Sequence, residues 1–253
     1  MNKLFLNIFS ILLLISTQIF PQQFSSGSPE WLVDMFFNKS NFPDKANYLT
    51  GEMLKYADDL TIGEELNGKG EISFHQIKAK ENEIVFAVEV THNNEIIDFY
   101  CYLIILESNW KINAVRRFLL PPFIYTVRDS LSQINSLTTN DSTFLQSLQL
   151  FTDSDFELKN YLKINLKNFQ KLISAYLDNN KDDADKILSS VGCNAIYSDR
   201  KYPGCIFIQV LKFENMEAGF INTADSSLLP EISFKEFIYV EEVVSGWFIY
   251  RIM

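Results

Sequence analysis

The chain has 253 residues, 47% hydrophobic and 21% charged, and its 22 Lys and Arg against 32 Asp and Glu give a formal charge of −10. That composition argues against a disordered or collagen-like chain. The acidity, with no dense Lys/Arg cluster, argues against a surface that neutralises nucleic-acid phosphates.

The N-terminus carries Lys3 and then an apolar run from Leu4 to Ile15, interrupted only by Asn7 and Ser10. A short basic start and an apolar core of this length suit a secretory signal. A spanning helix needs about 20 mostly apolar residues, and here polarity returns at Ser16, Thr17 and Gln18. Residues 1–23 are therefore expected to be a signal peptide, cut after Thr17 and before Phe24. The mature protein is expected to be exported, periplasmic or extracellular, with no stable membrane span after cleavage.

The rest reads as an α+β fold in two domains, residues 28–137 and 144–253, each with helices first and antiparallel strands after. Ser28-Pro29-Glu30 predicts a helix start, because Ser caps free amides, Pro suits the first position and Glu suits the positive end. A second helix is expected after Pro43-Asp44, with Ala46, Leu49, Met53, Leu54 and Ala57 on one side. From Gly70 the hydrophobic period changes to two. Glu71 to Lys78, Glu83 to His92, Ile96 to Glu107 and Trp110 to Phe118 then read as four strands joined by short polar turns. The third is apolar on both faces and should be covered on both sides.

Pro121-Pro122 should end the sheet and begin a helix, and Thr138 to Thr143 reads as a linker. An amphipathic helix is expected from about Asp155 to Leu177, and another from Asp182 to Val191, stopped by Gly192. Strands are expected at Ala195 to Tyr197, Cys205 to Phe213, Ala218 to Thr223, Phe234 to Glu242 and Trp247 to Ile252. Trp110 and Trp247 each lead a strand carrying a basic residue, Arg116 or Arg251, a weak sign of duplication.

Helices followed by the strand Ile84-Val85-Phe86-Ala87-Val88-Glu89-Val90, then Asp98-Phe99-Tyr100 and Asn109-Trp110-Lys111-Ile112, resemble the nuclear transport factor 2-like, or SnoaL-like, α+β cone family. The resemblance covers the first half only. It implies a curved sheet around a cavity, used by some relatives for isomerase or dehydratase chemistry with an Asp, His or Tyr inside the cone, and by others for binding or assembly alone.

Specific catalytic motifs are missing. Gly68-Lys69-Gly70 lacks the third glycine of a dinucleotide loop, and G-x-S-x-G, H-E-x-x-H and C-x-x-C do not occur. With only His75 and His92, zinc is not expected, and no cofactor is. Asp153, Asp155 and Glu157 imitate the start of a calcium loop, but Leu158 and Ile164 stand where its glycine and bidentate Glu belong. The three read as helix-capping charge.

Glu89 shares a strand face with Val85, Ala87 and Thr91. Inside a cone it could act as a base or ligand acceptor; on a wet face, the commoner arrangement for an antiparallel sheet, it is an ordinary strand residue. His75 and Asp98 carry the same two readings, and Tyr100 and Tyr102 could stack a ligand or pack the core. Cys193 and Cys205 leave room for a disulfide across a short segment, with Cys101 free and buried. The expected function is noncatalytic binding of a small molecule or protein, with no nucleic-acid partner. The alternatives are a cone-pocket enzyme of isomerase or dehydratase type and a structural envelope component.

Overall fold

The structure, a computed structural model, describes residues 24–93 and 95–253. The expected export signal, residues 1–23, lies outside the described residues. Helix α1 (Pro29–Phe37) starts as the sequence predicts: the Ser28 hydroxyl accepts the Trp31 amide at 3.2 Å, and Pro29 and Glu30 follow. It buries Leu32, Val33, Phe36 and Phe37. The helix expected after Pro43-Asp44 is two 3-10 turns, Lys45–Tyr48 and Gly51–Tyr56. Asp44 (φ 53°) and Gly51 (φ 52°) both take left-handed backbone, which no α-helix continues through. A short α2 (Ile62–Glu65) leads to the sheet, closed by a capping box between Thr61 and Glu64.

Strands β1 (Glu71–Lys80), β2 (Glu83–His92), β3 (Glu95–Leu106) and β4 (Asn109–Arg117) form an antiparallel meander in that order. The alternation of β2 and β3 divides two cores. Phe86, Val88, Val90, Phe99, Cys101 and Leu103 pack with α1, while Val85, Ala87, Tyr100 and Tyr102 pack with the second half of the chain. β3 is thus covered on both faces, as its apolar sequence predicts. Opposite Tyr102 and Leu103 the β4 register slips at Asn113, so Ile112 and Ala114 face different cores.

The chain continues through α3 (Pro122–Ser132), α4 (Thr139–Thr152), α5 (Asp155–Leu177) and α6 (Lys181–Ser190). Residues 138–143 open α4, with the Thr138 hydroxyl accepting the Asp141 amide at 3.2 Å. Helix α5 buries Leu158, Leu162, Phe169, Leu172 and Ile173 along its predicted stripe. Gly192 ends the next helix at φ 60°, where a Cβ would strike the Gln146 side chain. Strands β5 (Ala195–Ser198), β6 (Ile206–Phe213), β7 (Met216–Asn222), β8 (Phe237–Val244) and β9 (Trp247–Ile252) make a second antiparallel sheet, ordered β5-β6-β7-β9-β8. The Trp110-led strand lies at a sheet edge and the Trp247-led strand is internal, so the two sheets are built differently. The chain is α+β, with two antiparallel sheets.

The two halves share the second of these cores. Tyr100 and Tyr102 are fully buried against the second half: the Tyr100 ring stacks on Tyr239 with centroids 4.8 Å apart, and the Tyr102 hydroxyl donates to the Ile238 carbonyl at 2.7 Å. Arg116 Nε donates to the Phe234 carbonyl at 2.8 Å.

All three cysteines are free thiols, which corrects the expected Cys193–Cys205 disulfide. Pairing in the β5–β6 hairpin runs from Ala195 opposite Gln209 to Ser198 opposite Ile206. Cys193 and Cys205 therefore lie beyond opposite ends of the ladder, about 20 Å apart at ~3.3 Å per residue, whereas a disulfide needs Cα atoms within about 7 Å. The Cys193 thiol donates to the Val191 carbonyl and the Cys205 thiol to that of Leu228. Among the described residues no helix is long and apolar enough to cross a membrane.

Candidate functional site

All five residues singled out in the first half share one face of the first sheet, the face turned to α5 and β8. The register sets Ser73 opposite Glu89 and Glu89 opposite Asp98, then His75 opposite Ala87 and Ala87 opposite Tyr100. Glu89 and Asp98 are half-buried there. His75 lies at the rim, with its side chain 53% exposed; Tyr100 borders the Arg251 side of the site, whereas Tyr102, expected as a pocket residue, is packed in the core against Phe234 and the Ile238 carbonyl.

The groups that complete the site come from the second half. Asp155 opens α5 behind the Ser154 cap, whose capping box with Glu157 fixes the first turn. The Asp155 backbone N–H donates to Asp98 Oδ2 at 2.9 Å, and its carboxylate accepts the Tyr100 hydroxyl at 2.7 Å and Arg251 Nε at 3.2 Å. Arg251, on β9, is only 2% exposed and also donates to the carbonyls of Phe151 at 3.2 Å and Asp153 at 2.6 Å. Its guanidinium lies 4.6 Å from the Phe118 ring centroid. A buried guanidinium is tolerable only with its donors and charge matched in this way.

A second knot is tied at Glu241 on β8. A single oxygen, Oε2, contacts Tyr239 Oη at 2.6 Å, Lys159 Nζ at 2.8 Å and His75 Nε2 at 2.9 Å. Burial alone would raise this carboxyl, but the hydrogen bonds from His75, Lys159 and Tyr239 bring it down to about 2. Asp98 moves the opposite way. Burial, and then the charge of Asp155, push its carboxyl up to about 7, against the smaller stabilising pull of the Asp155 amide and Arg251. Asp153 is likewise raised, to about 6, by burial and by Glu157.

Asp98 and Asp155 form a partition between two small hollows. One, of about 150 Å³, is lined by Ser73, His75, Glu89, Phe156, Lys159 and Tyr239. The other, of about 60 Å³, lies on the Arg251 side beside Phe118 and Tyr125. The larger could take a few waters or one small polar group, well short of the roughly 300–1,000 Å³ of common ligand pockets. Among the described residues no three His, Cys, Asp or Glu side chains converge as metal ligands do. Chemically, the site can exchange a proton at Asp98 and can hold charges rigidly.

The capping reading of Asp155 was right for its position on α5 and silent about its side chain. One signal for the missing half was present: Arg251 stands alone in the apolar strand Trp247-Phe248-Ile249-Tyr250-Arg251-Ile252, and a cation in such a strand requires a buried anion. Comparison of the chain with protein-family models, curated proteins and solved structures found no match.

Proposed function

We propose that the protein is exported and acts outside the cytoplasm by binding or interaction, without turning over a substrate, its first half serving as a SnoaL-like scaffold. The observation that carries this reading is the closure of the seam. Asp155 holds Arg251 and Tyr100, and Glu241 holds His75, Lys159 and Tyr239, so around a 150 Å³ hollow most of the groups that could do acid–base work are committed to one another, Asp98 and Glu89 excepted. General acid–base catalysis needs a group within hydrogen-bond reach of a bound substrate. In support of an interacting surface, α3 exposes Phe123 (48%) and Val127 (38%) one turn apart, with Leu119 (59%) and Ile134 (51%) at its ends.

The rival reading, an isomerase- or dehydratase-type enzyme, draws on Asp98, whose carboxyl holds its proton up to about 7 beside Glu89. Assay of the exported protein beside D98N, E89Q and H75A, against small carbonyl, ester and lactone substrates, separates the two. We expect no turnover above background. Turnover by the parent that falls about a hundredfold or more in a folded variant, the loss typical of removing a general acid or base, would overturn the binding reading.

A further inference from the structure

We propose that the seam between β3 and the start of α5 is a proton-operated latch: a proton taken up at Asp98 tightens the contact between the two halves, and its loss loosens it. Asp98 sits where the first sheet meets the start of α5. Its Oδ2 receives the Asp155 amide at 2.9 Å, the link from the first sheet to the N-terminus of α5. Across the ladder on β2 stands Glu89, and ahead on α5 stands the Asp155 carboxylate, so two acidic side chains bracket a third.

The cations nearby are committed elsewhere. Arg251 of β9 serves Asp155 and two carbonyls. Lys159 of α5 and His75 of β1 both serve Glu241 of β8, as does the hydroxyl of Tyr239. Tyr100, on the strand of Asp98 itself, donates to Asp155. Arg117 of β4 lies 6.0 Å from the Phe99 ring. A charge on Asp98 would strengthen the Asp155 amide bond itself, but burial and the like charge of the Asp155 carboxylate across the seam outweigh that gain; Glu89, on the neighbouring strand of the same sheet, adds a smaller repulsion. The 150 Å³ hollow beside Asp98 supplies a route for the proton.

The direction follows from linkage. In the closed seam Asp98 keeps its proton up to about 7, through burial first and the Asp155 charge second; once the seam opens, the carboxyl returns to its ordinary value near ~4. The closed form therefore binds the proton more tightly. The stabilisation is fully present below pH ~4 and is lost as pH rises toward about 7. Over that window the opening constant should climb about tenfold per pH unit, then level off.

Hydrogen exchange at the Asp155 amide, corrected for intrinsic exchange, reads this opening directly. Across pH 4.5 to 8.5 the protection of that amide in the parent protein should fall about tenfold per unit and then flatten above pH ~7, while D98N should keep only the shallower fall left by Asp153. Asp153 titrates in the same window in both proteins, so the difference between them isolates Asp98. A flat parent profile, or equal slopes in the two proteins, overturns the latch. Should D98N not fold, the carboxyl carbon-13 resonance of Asp98 in the parent decides: a midpoint near 7 supports the latch, and one below about 5 overturns it.

Discussion

Replacing Arg251 by Met removes a buried charge while keeping a long apolar stem against Phe118. The guanidinium is 2% exposed and bonds Asp155 Oδ1 and two carbonyls. Its loss strands the Asp155 carboxylate with only the Tyr100 hydroxyl as a charge-stabilising side-chain partner. Breaking a buried pair from one side costs about 3–5 kcal/mol. At about 2–4 °C per kcal/mol for a chain of this size, the melting temperature should fall by roughly 6–20 °C. Urea unfolding followed by tryptophan fluorescence measures the loss, and a double-mutant cycle with D155N identifies its source. The amide of the double variant still accepts from Tyr100, so R251M/D155N should recover at least about 1.5 kcal/mol relative to additivity. A single-variant loss under about 1 kcal/mol, or a strictly additive cycle, would refute the view that this pair fastens β9 to α5.

Y102F deletes the hydroxyl on the Ile238 carbonyl and leaves that acceptor buried, so denaturant unfolding should show a loss of about 1–3 kcal/mol. Thiol labelling of denatured, nonreduced protein should find all three cysteines reactive. In the native fold Cys101 and Cys193 should stay unlabelled, because burial pushes both thiols well above their ordinary range. On the acid side Glu241 acts with the opposite sign to Asp98. Its carboxyl is lowered to about 2, so its contribution is present above about 4.5 and is lost as pH falls toward 2. E241Q should flatten the acid limb of a stability–pH profile, and an unchanged limb would show that the His75–Lys159–Tyr239 knot does not hold the seam. G192A should destabilise by about 1 kcal/mol or more, since the residue is left-handed and a Cβ would meet Gln146.

The first sheet was legible nearly strand for strand, because its alternation is strict and its turns are short and polar. Helix α5 was equally plain, with leucines at helical spacing behind an acidic start. The stretch after Pro43 failed because the apolar spacing of Leu49 and Met53 survives in 3-10 turns, and the left-handed bends at Asp44 and Gly51 leave only a weak trace in the sequence. The disulfide failed for a different reason. Separation along the chain is short between Cys193 and Cys205, but hairpin register carries the two apart. As for the site, local patterning placed His75, Glu89, Asp98, Tyr100 and Tyr102 on strands. It could not pair them with Asp155, Lys159, Glu241 and Arg251, because those contacts join positions some 55 to 166 residues apart in the chain.

The order of the second sheet bears on how the chain reaches its fold. β9 lies between β7 and β8, although β8 comes first along the chain. Until β9 follows, β8 has no in-sheet neighbour, and both of its edges are open along an apolar segment, Phe237-Ile238-Tyr239-Val240. Such a strand invites pairing with another chain. The partners ready for it are Tyr100 and Tyr102 of the first sheet, which meet Tyr239 and the Ile238 carbonyl in the finished fold. The strand added last to the sheet's interior and the face of the first sheet must therefore close over β8 together, which makes the completion of the second sheet and the joining of the two halves one event.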